Sequence, residues 1–140
     1  MIKYQYHCRD LNSSQITGFF QGWPNPPDSD THLKILHNSS EIVLAIDDES
    51  GNIVGFINAV SDKILCAYIP LLEVLPDYQG RGIGRELLKR MLDRLKKLYA
   101  VDLTCDGELQ SFYEKSGMKH SVGMVIRRYE NQSGKPQNAN

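Results

Sequence analysis

Hydrophobic positions along the chain recur with two periods, and these separate the predicted strands from the predicted helices. The clearest helical pattern lies at residues 86–98, where leucines and a methionine repeat every three or four positions. Charged residues fill the opposite face, with lysines near the C-terminal end, where the helix dipole favours cations. The pattern predicts an amphipathic helix whose apolar stripe lies in the core.

Shorter apolar or alternating segments predict strands. We expect strands at residues 2–7, 42–46, 53–60, 64–75, 99–105 and 122–129. The second and third of these flank a polar turn, which predicts an antiparallel hairpin. Pro70 interrupts the fourth and cannot donate to a ladder, so it predicts a bulge, an edge or a change of direction.

Two shorter helices are indicated by residues suited to an N-cap. One follows Asn12 and extends to Phe20, and the other follows Asp28 and carries Leu36 on its apolar side. Residues 22–27 between them contain three prolines, which fix φ and remove three backbone donors. That segment is therefore predicted to be a loop.

The order of elements predicts a single α/β (α+β) domain with a mixed, mostly antiparallel sheet and flanking helices. The segments 64–75, 86–98 and 99–105 form a central βαβ unit, which requires parallel neighbours and a right-handed crossover. We expect the domain to span residues 1–130. Residues 131–140 are polar and contain Gly and Pro, so they are expected to form a mobile tail.

Composition excludes several classes of protein. Sixteen basic and seventeen acidic residues give a formal net charge of −1, so neither a nucleic-acid surface nor a membrane surface is expected. No apolar run approaches the roughly 20 residues of a membrane span, and the first residues do not form a signal peptide, which favours the cytoplasm. Three cysteines without CxxC spacing predict reduced thiols, and four scattered histidines predict no metal site.

Residues 79–84, with the sequence Gln-Gly-Arg-Gly-Ile-Gly, join the fourth predicted strand to the long helix. Their three glycines permit a sharp bend and close approach of a ligand, and the helix start offers unpaired N–H groups. This combination predicts a phosphate or pyrophosphate site, which Arg81 and Arg85 could complement. The turn lacks the Gly-Lys-Ser/Thr ending of a P-loop, and Arg85 occupies the third glycine position of GxGxxG.

The spacing of Gln79, Gly82 and Gly84 resembles the Q/R-x-x-G-x-G/A motif of the GNAT (Gcn5-related) N-acetyltransferases. Residues 111–118, Ser-Phe-Tyr-Glu-Lys-Ser-Gly-Met, resemble the FYxKxGF signature that follows in that family at about this distance. They belong to a short helix predicted at residues 108–116. The resemblance covers most of residues 2–129 and implies a GNAT fold, with acetyl-CoA as acyl donor.

The resemblance also implies roles for individual residues. The pyrophosphate of coenzyme A would be held by the turn residues Gln79, Gly80, Arg81, Gly82, Ile83, Gly84 and Arg85. Val74 and Leu75 would hold the pantetheine and thioester through backbone groups, with the Leu75 amide polarising the thioester carbonyl. Tyr113 would protonate the leaving thiolate as general acid.

Other residues leave alternatives open. Glu73 is the sole carboxylate of its apolar strand, so we expect a general base there, although it could instead face solvent or pair with Arg81. Tyr113 could act only in packing, and Trp23 could line an acceptor pocket or cap the core. Asp106 stands where many GNAT members carry an asparagine that contacts the cofactor, and a carboxylate disfavours that contact.

We therefore expect an acetyl-CoA-dependent N-acetyltransferase. It would transfer the acetyl group to an amine of a small molecule or peptide by direct attack in a ternary complex. A non-catalytic acyl-CoA sensor and a phosphate-binding domain unrelated to coenzyme A are the alternatives. Because GNAT domains often pair, a homodimer is one candidate assembly.

Overall fold

A five-stranded mixed sheet organises residues 1–135, the part of the chain that the computed structural model describes. The strands are β1 (Ile2–Gln5), β2 (Glu41–Asp47), β3 (Ile53–Ser61), β4 (Cys66–Val74) and β5 (Ala100–Asp102), and the helices are α1 (Ser29–His37), α2 (Ile83–Arg94) and α3 (Gln110–Glu114). Sheet order follows chain order, and every neighbouring pair is antiparallel except β4 and β5. The mixed fold class and the parallel crossover through α2 are therefore confirmed.

Alternation along β2 gives the sheet two apolar faces. Val43 and Ala45 lie in one buried cluster with Leu87 of α2, whereas Leu44 lies in another with Leu36 of α1. Successive strand residues point to opposite faces, so one strand serves both clusters. The stripe on α2 is core, as its spacing predicts.

α2 packs closely against the sheet at Gly55 of β3. A Cβ added there would lie 3.1 Å from Leu87 Cδ1 and 3.3 Å from Ile83 Cγ2. Both distances are shorter than ordinary side-chain contact, so the missing side chain sets the distance of the α2 N-terminus from the sheet. Gly55 thereby also helps to place the glycine-rich turn.

The long helix begins and ends earlier than its hydrophobic stripe predicts. It spans Ile83–Arg94 instead of 86–98, with Gly82 as N-cap at a φ of +82°. Leu95 remains buried, but the chain there continues only as turns. The stripe marks which residues are buried, whereas the glycine decides where the helix starts.

The irregularity predicted at Pro70 is a β-bulge. Asn58 pairs with Leu71 but Val60 pairs with Tyr68, so two residues of β4, Pro70 among them, face one residue of β3. The missing proline N–H therefore falls where the ladder is already interrupted.

Strands β4 and β5 diverge soon after their first paired residues. β5 is shorter than the predicted 99–105 and pairs with β4 only from Cys66 to Tyr68. Beyond Tyr68, as far as Val74, the edge of β4 that faces away from β3 has no neighbouring strand within residues 1–135. An open wedge is left beside that edge.

The helix predicted after Asn12 is wrong. Only a single 3-10 turn forms, at Ser13–Gln15, with Asn12 as its N-cap. Gly18 follows at a φ of +89° and Phe20 at +63°, backbone values that a right-handed helix cannot include. The chain instead bends back, and Phe20 packs onto the sheet.

The strand predicted at residues 122–129 is wrong for the single chain. Residues 119–128, hereafter the arm, have no regular secondary structure, and none of their amides donates a hydrogen bond within residues 1–135. A strand exists only when a second strand accepts its ladder, and no strand in the described part of the chain lies beside the arm. The alternation of side chains could not reveal this.

The residues that follow the arm contact the loop before α1. The Asn25 N–H donates to Gln132 Oε1 at 2.9 Å, and Lys135 Nζ lies 2.6 Å from Asp28 Oδ2. Both contacts fall in the expected tail, whose residues 136–140 lie outside the described residues. Within residues 1–135, no helix is long and apolar enough to cross a membrane.

Candidate active site

A cleft of about 810 Å³ opens where β4 and β5 diverge. Its polar lining includes Gln21, Glu73, Gln79, Asp106, Tyr113 and Arg127, and its apolar lining includes Trp23, Phe56, Leu72 and Val125. A second cavity of about 360 Å³ lies between residues 102–105 and residues 118–123. Tyr113 lines both spaces and so stands at their boundary.

The free edge of β4 supplies main-chain groups to this cleft. The Leu75 N–H donates to the Val54 carbonyl at 2.9 Å, so this register directs the backbone groups of Leu75 and Glu73 toward β3. Those of Leu72 and Val74, in the alternate positions, point into the wedge. The amide expected to polarise a thioester is thus already paired. The available groups are the N–H and carbonyl of Leu72 and the N–H of Val74, because the Val74 carbonyl accepts from Gln79 Nε2.

The glycine-rich turn presents bare backbone to open space. Gly80 and Gly82 have φ values of +77° and +82°, and a Cβ on either would meet nothing within 4 Å. The first hydrogen bond of α2 runs from the Glu86 N–H to the Gly82 carbonyl at 3.1 Å. Three amides precede that bond and have no acceptor inside the helix, those of Ile83, Gly84 and Arg85.

Two polar side chains of the turn donate hydrogen bonds to nearby backbone carbonyls, so they stabilise the turn itself. Gln79 Nε2 donates to the Val74 carbonyl at 2.9 Å, which ties the turn to the end of β4. The Arg81 guanidinium donates to the Asp77 carbonyl at 3.0 Å. Arg85 is exposed beside the helix start, so it is the arginine that can reach a ligand there.

Glu73 holds a strained loop against the cleft. Its Oε1 accepts from the Phe20 N–H at 2.8 Å and its Oε2 from the Gln21 N–H at 3.3 Å. Phe20 has a φ of +63°, which costs free energy in any residue that carries a Cβ. Glu73 therefore pairs with backbone amides rather than with Arg81, and its carboxylate also lines the cleft.

Tyr113 is held by α3 and its aromatic neighbour. The Phe112 and Tyr113 rings meet edge to face at 5.0 Å, and the Phe112 ring lies 3.7 Å from the Cβ position of Gly84. Burial raises the pKa of the Tyr113 hydroxyl, and the neighbouring Cys105 adds to the rise. The phenol is therefore protonated at neutral pH, the form that can give a proton.

Sequence reasoning missed His32, which is almost completely buried. Its ring lies 4.4 Å from that of Phe56, 4.7 Å from Phe20 and 5.3 Å from Phe19, and its Nε2 has no hydrogen-bond partner among residues 1–135. Burial lowers its pKa to about 4. The signal was available, because His32 lies four positions before the buried Leu36 on one helix face.

The structure answers the open questions about Trp23 and Asp106 in different ways. The Trp23 ring lies 4.8 Å from that of Phe20 and also lines the cleft, so it both covers the core and faces the open space. Asp106 lines the cleft and remains exposed. In the described part of the chain, no group of three or more His, Cys, Asp or Glu residues could hold a metal ion.

The sequence model of the acetyltransferase (GNAT) family matches residues 8–118. A solved structure of a candidate acetyltransferase from Deinococcus radiodurans R1 is 45% identical and has a TM-score of 0.93. The match covers 97% of this chain and 94% of that one. The two proteins are thus similar over nearly their full lengths.

Relatives found by sequence are more distant. The uncharacterised N-acetyltransferase ycf52 of Pyropia yezoensis is 31% identical over 100 residues, and ycf52 of Porphyra purpurea is 29% identical over 99 residues. Each match covers 69% of this chain and 57% of the relative. The chain therefore spans little more than half the length of these relatives.

Proposed function

Because the chain belongs to the acetyltransferase (GNAT) family, we propose that it transfers the acetyl group of acetyl-CoA to an amine. One observation carries this proposal. The unpaired edge of β4 leads directly into a turn whose backbone amides face open space. Such a row suits a donor substrate with amides at one end and a diphosphate at the other.

The diphosphate would lie on the glycine-rich turn. The amides at the start of α2 point toward that position, and the helix dipole favours an anion there. Gln79 would fix the turn to β4, and the exposed Arg85 would add a charge-assisted contact. The other proposed contacts are the backbone groups of Gly80, Arg81, Gly82, Ile83 and Gly84.

The pantetheine arm would pair with the free edge of β4. Val74 lies next to the turn, and Leu72 lies two positions further along the same edge. The Leu72 N–H is therefore our candidate donor to the thioester carbonyl, in place of the Leu75 N–H that bonds Val54. Leu75 then borders the donor site without supplying this amide.

Two side chains would move the protons of the reaction. The amine nitrogen forms a bond to the acetyl carbon, the carbon–sulfur bond breaks, and the Tyr113 hydroxyl gives its proton to the departing sulfur. An alkylammonium has a pKa near 10, so a base must take a proton from the amine. Glu73 is the carboxylate on β4 that lines the cleft, and we assign it this role.

The acceptor would enter from the side of Trp23 and Phe56, which give the cleft an aromatic wall. A small-molecule or peptide amine fits this description. We also propose that the protein acts in the cytoplasm, which its three free cysteines support.

The test compares wild type with Tyr113→Phe in an assay of coenzyme A thiol release across a panel of amines. We expect kcat to fall by about 100-fold or more, because the phenylalanine cannot supply the proton. Calorimetric affinity for acetyl-CoA should stay unchanged. The matched control is Tyr99→Phe, which removes the hydroxyl of an exposed tyrosine that does not line the cleft and should keep wild-type turnover.

Two results would reject the proposal. Tight acetyl-CoA binding without thiol release for any amine would favour a non-catalytic acyl-CoA sensor. ATP binding as strong as that of acetyl-CoA would favour a phosphate site that does not recognise pantetheine.

A further inference from the structure

Arg127, in the arm, is the one basic residue among residues 1–135 that lines the cleft. Its guanidinium forms no ion pair within that range, and its Nη1 donates to the carbonyl of the adjacent Ile126 at 3.3 Å. A guanidinium has five N–H donors in a planar fork that matches the oxygens of carboxylates and phosphates. Most of these donors are therefore available to a negatively charged group in the cleft.

The residues after the arm hold Arg127 on the side of the cleft where we expect the acceptor. Gln132 Oε1 accepts from the Asn25 N–H at 2.9 Å, and Asn25 lies two positions after Trp23. Arg127 precedes Gln132 by five positions, so its backbone lies no more than about 18 Å from this contact. The 3-10 turn Tyr129–Asn131 shortens that distance further. Arg127 and Trp23 therefore line the cleft from the same side.

The phosphates of the donor have a different place in the structure. We have put the diphosphate at the start of α2, and of the turn residues 79–84 only Gln79 lines the cleft. Arg85 is exposed beside that helix start and is the cation positioned for the diphosphate. Arg127 is consequently left for the acceptor.

The acidic residues of the cleft suit an acceptor with a single amine. Glu73 is the base that we assign to that amine, and both of its oxygens already accept from backbone amides. Asp106 belongs to the segment after β5, across the wedge from β4. A second ammonium on the acceptor would meet the guanidinium of Arg127, and like charges repel. A negatively charged group would instead be attracted to it.

We propose that the acceptor is an amine that also carries a negatively charged group, a carboxylate or a phosphate, as an amino acid does. Its amine faces Glu73, its apolar part lies against Trp23 and Phe56, and its anionic group accepts hydrogen bonds from Arg127. Resting on the proposed function, this assignment names the substrate class of the same site. Arg127 then determines specificity by binding and takes no part in proton transfer.

The first experiment compares two matched pairs of acceptors by kcat/KM for coenzyme A thiol release. Phenylalanine differs from phenethylamine only by a carboxylate, and O-phosphoethanolamine differs from ethanolamine only by a phosphate. We expect wild type to prefer the anionic member of at least one pair by about 10-fold or more, because only that member forms charge-assisted hydrogen bonds with the guanidinium.

The second experiment repeats the comparison with Arg127→Met, which keeps much of the side-chain length and removes the charge. The kcat/KM for the preferred anionic amine should fall by about 10-fold or more, chiefly through a higher KM, while that of its uncharged-tail partner stays at the wild-type value. A purely structural role of Arg127 would lower both values equally. Arg128→Met is the matched control, because Arg128 is the next residue of the arm and does not line the cleft.

Charge reversal gives a third readout. Arg127→Glu places a carboxylate where wild type has a guanidinium, so it should reject the anionic amines and attract a second ammonium. We expect this variant to acetylate 1,5-diaminopentane with a higher kcat/KM than pentylamine, whereas wild type should prefer pentylamine.

Three results would overturn this inference while leaving the proposed function intact. One is equal kcat/KM for the two members of both pairs in wild type. Another is a preference for the anionic amine that Arg127→Met retains. The third is a fall in calorimetric affinity for acetyl-CoA in Arg127→Met, which would show that the guanidinium binds the donor. Absence of thiol release with every amine would reject the proposed function, and this inference with it.

Discussion

His32 is a buried imidazole among aromatic rings, and one of these rings, that of Phe56, also lines the cleft. No acceptor or donor pairs with its Nε2 within residues 1–135. Such a site tolerates neutral imidazole far better than imidazolium, which explains the lowered pKa of about 4. A single residue thereby makes the stability of the aromatic cluster depend on pH.

We predict that the free energy of unfolding falls by about 2 kcal/mol between pH 7 and pH 5 through His32. The unfolded histidine has a pKa near 6.5 and binds a proton in this window, whereas the folded one, with a pKa of about 4, does not. The stabilisation is complete above pH 6.5 and is lost as pH falls toward 4. Urea unfolding at both pH values measures it.

His32→Phe should remove this part of the pH dependence, because the phenyl ring does not titrate. His37→Gln changes the exposed histidine at the end of the same helix and should keep it. An unaltered pH dependence in His32→Phe would show that other groups cause the loss.

A substitution at Gly82 would act through backbone conformation alone, because an added Cβ would contact no neighbouring atom. Its φ of +82° costs about 1 to 2 kcal/mol in a residue with a side chain. We predict that Gly82→Ala weakens acetyl-CoA binding about 10-fold in calorimetry, because the turn relaxes and its amides move. Gly107→Ala, at a glycine with neither a positive φ nor a neighbour within 4 Å, should bind like wild type.

At the scale of elements, the position of α2 on the sheet decides where the turn amides point. Ile83 and Leu87 pack over Gly55, and the helix begins at Ile83, directly after Gly82 of the glycine-rich turn. The core and the candidate donor site therefore share one helix. A change in the side-chain packing between α2 and the sheet should therefore also change the conformation of the turn.

We predict that Gly55→Val lowers the free energy of unfolding by about 1 to 3 kcal/mol, because the added side chain overpacks the contact with Ile83 and Leu87. Acetyl-CoA affinity should fall with it as the helix start shifts. Urea denaturation and calorimetry measure the two effects. Gly107→Val is the control, and wild-type stability in Gly55→Val would show that α2 does not pack as closely as the structure indicates.

For the whole molecule, local patterns were informative wherever neighbours along the chain made the contacts. The β2–β3 hairpin, α1 with its Asp28 cap and the apolar stripe of α2 all follow from short-range sequence. The prediction of a helix after Asn12 was wrong because Gly18 and Phe20 adopt positive φ. The prediction of a final strand was wrong because alternation indicates which side chains share a face but not which strand lies beside them.

The sequence by itself determined the family, the mixed sheet and the glycine-rich turn, because these depend on residue spacing and on backbone freedom at particular positions. Only the tertiary structure decided which main-chain groups are free. It showed that the Leu75 N–H is bonded, that Glu73 holds a loop and that the arm amides donate to no acceptor within residues 1–135. Hydrogen bonds between distant segments are long-range pairings, and spacing along the chain does not record them.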